Sequence, residues 1–142
     1  MATYDPSAIR AQIKTLLQTS TLVSYVYDYN NPNIEGYPAI IFDITEEDSE
    51  MLDENNNTRV ITFTLYAVVE IKVAGISVAK TLLDNVVKSV INLVEKRSND
   101  TLSGTVDWVT PVMGRRVESN SPEGSFFSQE MKLRCNVASS IL

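Results

Sequence analysis

From Ile61 to Val73 the chain alternates strictly. Odd positions read Ile61, Phe63, Leu65, Ala67, Val69, Ile71 and Val73, and the even positions between them include Thr62, Thr64, Tyr66, Glu70 and Lys72. Successive side chains of a strand point to opposite faces, so this pattern predicts one strand of about thirteen residues, roughly twice the usual length. One face of it is built for a core and the other is amphipathic. Such a strand needs neighbours on both sides and a layer to cover its apolar face.

The flanking sequence supplies both. Asp5-Pro6-Ser7-Ala8 is a helix start, with Asp at the N-cap and Pro at the first helical position. Ile9, Ile13, Leu16 and Leu17 follow at helical spacing, with Arg10, Gln12 and Lys14 turned outward, and the helix is expected to stop near Thr19–Thr21. Val23 to Tyr29 carries Tyr25, Tyr27 and Tyr29 in alternation and has the pattern of a short strand. Asn30-Asn31-Pro32-Asn33 has turn chemistry, and a strand with Ile40, Phe42 and Ile44 on one face spans Ala39–Thr45. Glu46 to Asn57 is acidic and polar, and Asn55-Asn56-Asn57 suits a turn, so this segment is expected to be a long hairpin arm.

After the long strand, Ala74-Gly75-Ile76-Ser77 breaks the pattern. A second helix is expected from about Val78 to Arg97, with Ala79, Leu82, Leu83, Val86, Val87, Val90, Ile91, Leu93 and Val94 on its apolar stripe. Lys96 and Arg97 complement its C-terminal dipole. Ser98 to Ser103 reads as a polar loop. A strand then places Val106 and Trp108 on one face and ends at Pro111, followed by a strand extension and mobile loop over Val112–Gly124. Phe127, Met131, Leu133, Cys135 and Val137 alternate with polar residues in a last strand from about Phe126 to Val137. The expected fold class is α+β, a mainly antiparallel sheet of four to five strands with two helices packed on one face, in the order α-β-β-β-α-β-β. Residues 1–142 form a single domain with projecting arms at about 45–58 and 112–125.

Composition narrows the chemistry. The chain has no histidine, so the commonest general base and metal ligand are missing, and the single cysteine, Cys135, has no imidazole to activate it. Cys135 lies on an apolar phase and is expected to be a buried hydrophobe. No run of apolar residues approaches the roughly 18 needed to span a membrane, and no targeting segment is expected at the start.

Charge is unevenly spread. Residues 1–58 carry ten acids against Arg10 and Lys14, a net −8, and residues 59–142 carry ten bases against eight acids, a net +2. Opposite signs in the two halves can orient copies of a chain head to tail, or can simply solvate the surface. The acidic arm from Asp43 to Glu54 lacks the Asp-x-Asp-x-Asp-Gly spacing of a Ca²⁺ loop and has no apolar pocket to split two carboxyl pKa values. Glu46, Glu47, Asp48, Glu50, Asp53 and Glu54 are therefore candidate contact residues, or a solvated loop. Arg115 and Arg116 are a second candidate, for an anionic partner surface, but two arginines at a pI near 4.6 make no nucleic-acid footprint. Tyr25, Tyr27 and Tyr29 are a third, since tyrosine is enriched at interfaces, with a half-buried sheet edge as the alternative. No metal site, cofactor site or catalytic residue is expected.

An N-terminal helix, a Gly-Tyr-Pro-Ala-Ile-Ile segment at Gly36–Ile41 opening a strand, a long alternating strand, one long helix and a closing pair of strands follow one another at this length. In that order the chain resembles the tail terminator (tail completion) proteins of long-tailed bacteriophages, across essentially its whole length. The resemblance implies a structural role without catalysis. It implies a homo-hexameric ring on the head-proximal end of the virion tail, assembled in the host cytoplasm. The ring would stop polymerisation of the major tail tube protein and present a surface to the head-side connector protein. DNA would pass through the lumen without specific binding, and an acidic arm facing that lumen would repel it. The alternatives are a neck or head-completion connector, a minor tail protein, a non-phage protein-binding α/β module, or a small carboxylate hydrolase.

Overall fold

A computed structural model describes residues 4–29, 33–51, 56–72, 75–122 and 124–140, of which 50, 51, 56, 57, 121 and 138–140 are described by backbone alone. The turn at 30–32, Val73 and the arm tip with Asp53 and Glu54 lie outside the described residues.

Helix α1 spans Pro6–Gln18, and the Asp5 carboxylate caps it by accepting from the Ala8 N–H at 3.2 Å. Strand β1 is Tyr25–Tyr27, β2 is Ala39–Met51, β3 is Asn56–Glu70, β4 is Trp108–Ser121 and β5 is Gly124–Ser140. Helix α2, Ile76–Glu95, joins β3 to β4 through a short 3-10 turn at Arg97–Asn99. The sheet order is β1-β2-β3-β5-β4, and only the β1–β2 pair is parallel. The α+β class and the element order expected from the sequence are those observed.

The alternation in β3 decides the layering. Ile61, Phe63, Leu65, Ala67 and Val69 are fully buried. They face Phe42 from β2 and Met131, Leu133 and Cys135 from β5, with the Phe42 and Phe63 rings edge to face at 6.1 Å. Ile9, Ile13 and Leu17 of α1 and Leu83, Val86 and Val90 of α2 close the same cluster, so both helices lie on one face. The other face of the sheet carries no helix or strand among the described residues. At its centre Thr62 and Thr64 are buried under neighbouring side chains, and the Thr45 and Thr64 hydroxyls share a 2.7 Å hydrogen bond.

Several boundaries differ from expectation. β2 does not stop at Thr45 but runs to Met51, and β3 begins at Asn56, so the acidic segment is itself strand and Asn56-Asn57 is paired rather than turned. β4 passes through Pro111 to Ser121 and pairs with β5 as far as Ser121 opposite Gly124, so 112–121 is strand where the sequence predicts a strand extension and mobile loop. Pro111 is tolerated because β4 is an edge strand, where a missing N–H costs no ladder bond. Trp108 is half exposed while Val109 faces the core, and Val106 is buried ahead of the strand, so the face assigned to Val106 and Trp108 is corrected. Leu102 is a core residue inside the segment expected to be a polar loop. α2 starts and ends two residues earlier than its apolar pattern suggests, and Lys96 is its C-cap. Gly75, at φ +104, turns the chain into that helix.

Cys135 is fully buried, and burial pushes its thiol up to about 12. Native protein at pH 7 is expected to resist a thiol reagent such as dithionitrobenzoate, and urea-unfolded protein to react with one equivalent. In urea unfolding, Leu65→Ala is expected to cost about 2–5 kcal/mol through the cavity it leaves under both helices. Gly75→Ala, strained at positive φ, is expected to cost about 1–2 kcal/mol.

Candidate assembly surfaces

Beyond Ile41, β2 has no strand on its outer side among the described residues, because β1 covers only Ala39–Ile41. The acids therefore line a sheet margin. A register shift between Ile44 and Glu46 resets the alternation there, placing Glu46 opposite Thr62 and Glu47 opposite Ile61. Glu46 and Asp48 consequently share the open face, beside a groove of about 240 Å³ that Lys132 and Arg134 also line. Neither acid forms an ion pair with a described residue.

Glu47 is sent to the helix side, beyond the start of α1. There it accepts a hydrogen bond from the Tyr4 hydroxyl, and the Arg59 guanidinium lies over the Tyr4 ring at 4.8 Å. That hydrogen bond, with burial and charge behind it, raises the Tyr4 pKa above the usual phenol value. Asp43 is held by Arg10 of α1 at 2.7 Å. Asp43 thus anchors the strand to the first helix and Glu47 anchors it to Tyr4 just ahead of that helix, while Glu46 and Asp48 have no ion-pair partner among the described residues.

The tyrosines sit at the same margin. Tyr25 and Tyr27 stack with ring centroids 6.2 Å apart, and Tyr29 meets Tyr27 edge-on at 6.2 Å. Tyr27 is tied inward, its hydroxyl accepting the Glu35 N–H at 3.0 Å, whereas Tyr25 and Tyr29 are 39% and 52% exposed. Gly36 makes room for them: a Cβ there would lie 2.6 Å from the Tyr25 ring.

Arg115 and Arg116 lie at the opposite margin, on β4, and their roles split. A bulge sets Gly114 and Arg115 against Glu130 alone. Arg116 turns toward the helices, pairing with Asp84 of α2 at 2.7 Å and donating from Nε to the Gln129 side-chain Oε1 at 3.1 Å. Gln129, buried on the core phase of β5, spends its amide N–H groups on the Gly114 and Glu130 carbonyls. Arg116 therefore fastens the β4–β5 hairpin to α2. Arg115 forms no ion pair among the described residues.

Two apolar features escaped the sequence reading. β4 exposes Trp108, Val112, Met113 and Val117 by 40–50% each. They would have been visible had the strand been carried past Pro111. On the open face, Ile34, Tyr37, Ile41, Tyr66, Val68 and Phe126 line a groove of about 330 Å³ with Ser119 and Ser128. Tyr66 already marked the second face of β3 as amphipathic. A larger, wide-open crevice of about 470 Å³ runs along α2 past Asn85, Lys88, Ser89, Asn92 and Lys96, with no carboxylate in its lining. Among the described residues no three carboxylate or thiol groups are placed to hold a metal ion, and no helix is long and apolar enough to cross a membrane.

This arrangement of sheet and helices has a solved counterpart. The chain is similar to a chain in the virion of a native gene transfer agent particle, with a TM-score of 0.55 at 16% identity, covering 96% of this chain and all of that one. The two share a fold. No protein-family model matches the sequence, and no curated protein matches it.

The split between the two arginines is measurable. Arg116→Met removes one partly exposed ion pair and one hydrogen bond, and is expected to lower stability by about 1 kcal/mol in urea unfolding and to speed amide exchange in β4. Arg115→Met is expected to stay within about 0.5 kcal/mol of wild type.

Proposed function

We propose that this chain is a structural virion protein, a tail terminator that forms a ring on the head-proximal end of a tail tube. The observation that carries the reading is the whole-length likeness of its fold to a chain of a virion particle. The order of elements, which resembles that of tail terminators, agrees with it. The surfaces support assembly over chemistry. Glu46 and Asp48 lie along a strand and line a groove together with Lys132 and Arg134, and Tyr66, Trp108, Val112, Met113 and Val117 leave apolar surface uncovered on strands. A large uncovered apolar surface on a small domain is a place for a partner.

In this role the ring ends growth of the major tail tube protein and offers its far side to the head-side connector. DNA passes through without being held. Each subunit contacts the next through unlike patches, which closes a ring where the rotation between neighbours is right.

Purified chain added to polymerising tail tube protein is expected to shorten the tubes and to appear by electron microscopy as a disc at one end only. Tubes of unchanged length with bare ends would overturn the terminator reading. Binding only to a head-side connector, with no effect on tubes, would favour a neck or head-completion role instead.

A further inference from the structure

We propose that the two margins of the sheet are the two halves of a single contact between copies of this chain. The proposal rests on the ring reading above and names its surfaces. The β4 margin presents Trp108, Val112, Met113 and Val117, all 40–50% exposed, on a strand with no outer neighbour among the described residues. An edge strand that shows this much apolar surface is a docking site or an aggregation hazard. Pro111 and the bulge at Gly114–Arg115 interrupt its outer row of backbone groups, which prevents continuous strand addition. A partner is held there by side chains.

The opposite margin has what that surface needs. Tyr25 and Tyr29 offer exposed ring area, and tyrosine gives large contact area at small entropic cost. Beside them β2 carries five acids and no base, against two arginines and one glutamate on β4. Asp43, Glu47 and Arg116 are already bonded within the chain, so among the described side chains the charged groups left to pair across copies are Glu46 and Asp48 on one side and Arg115 and Glu118 on the other, with Arg115 the cation that meets the acids. Lys132 and Arg134 share the groove beside Glu46 and Asp48 but come within ion-pair distance of neither.

Two copies meeting through the same margin would set acid against acid. The contact is therefore heterologous, the acidic margin of one copy to the apolar, Arg115-bearing margin of the next. The margins lie at opposite ends of the sheet, with β2 three strand spacings, about 14 Å, and β1 four spacings, about 19 Å, from β4, so copies add in one direction. Glu46 and Asp48 are then interface residues rather than a coat on the lumen.

Charge reversal tests this on the full chain. Arg115→Glu reverses the basic side, Glu46→Lys with Asp48→Lys reverses the acidic side, and a third variant carries all three changes. Assembly is measured by sedimentation velocity over a range of concentrations and by electron microscopy on tail tubes, with circular dichroism to confirm folding. Each one-sided variant is expected to associate at least about tenfold more weakly than wild type. An equal mixture of the two one-sided variants, and the three-fold variant alone, are expected to recover assembly. Arg115→Ser, milder at the same exposed position, is expected to fall between. Wild-type assembly unaffected by either reversal would overturn the margin contact and leave the ring reading standing. A wild type that stays monomeric at every concentration and on tubes would overturn both.

Discussion

Everything in this molecule depends on one face of one strand. Ile61, Phe63, Leu65, Ala67 and Val69 of β3 have no contact with solvent, and both helices and both flanking strands are organised around them. Each such side chain contributes on the order of 1.5–3 kcal/mol by leaving water, an appreciable share of the 5–15 kcal/mol that separates folded from unfolded chains. Because β3 takes β2 on one side and β5 on the other, a one-residue slip in either pairing would turn a core face to solvent. The register is thereby locked, and so is the position of every acid and arginine carried by the neighbouring strands.

What the core does not use is left in a definite pattern. Covering one face of a five-strand sheet with two helices leaves the other face and two margins without a further helix or strand among the described residues. The bulge after Ile44 sorts the acids of β2, sending Glu47 to the Tyr4 hydroxyl and leaving Glu46 and Asp48 outside. The bulge after Met113 sorts the arginines of β4, sending Arg116 to Asp84 and Gln129 and leaving Arg115 outside. In each case one charged group helps hold the sheet to its helices while its neighbour is free for a partner. One margin is aromatic and acidic, and the other is aliphatic with Trp108 and a free arginine. That asymmetry favours head-to-tail assembly.

Most of the fold was legible in the sequence because period is a local signal. The alternation in β3 and β5, the 3.6 spacing in α2 and the cap at Asp5-Pro6 each depend on a few adjacent residues. Long-range pairing was less legible. The segment 46–51 carries almost no apolar residue, and only its partner segment, 57–62, makes it a strand. Pro111 looked like an end because a proline stops an interior strand, and nothing local says that β4 lies at the edge. Leu102 looked like loop because the core that receives it comes from distant segments. The candidate surface residues were found as three separate groups. The sheet order places the tyrosines beside the acids and the arginines at the other end, and pairing within the chain takes Glu47 and Arg116 out of the available set.

The most direct measurement is amide hydrogen exchange on the chain alone and on the chain assembled at a tail-tube end. If this protein joins copies through the margins of its sheet, added protection will concentrate in Ala39–Met51 and Trp108–Ser121, with α2 unchanged. Protection confined to the outer face of α2, or none at all on assembly, would contradict the account.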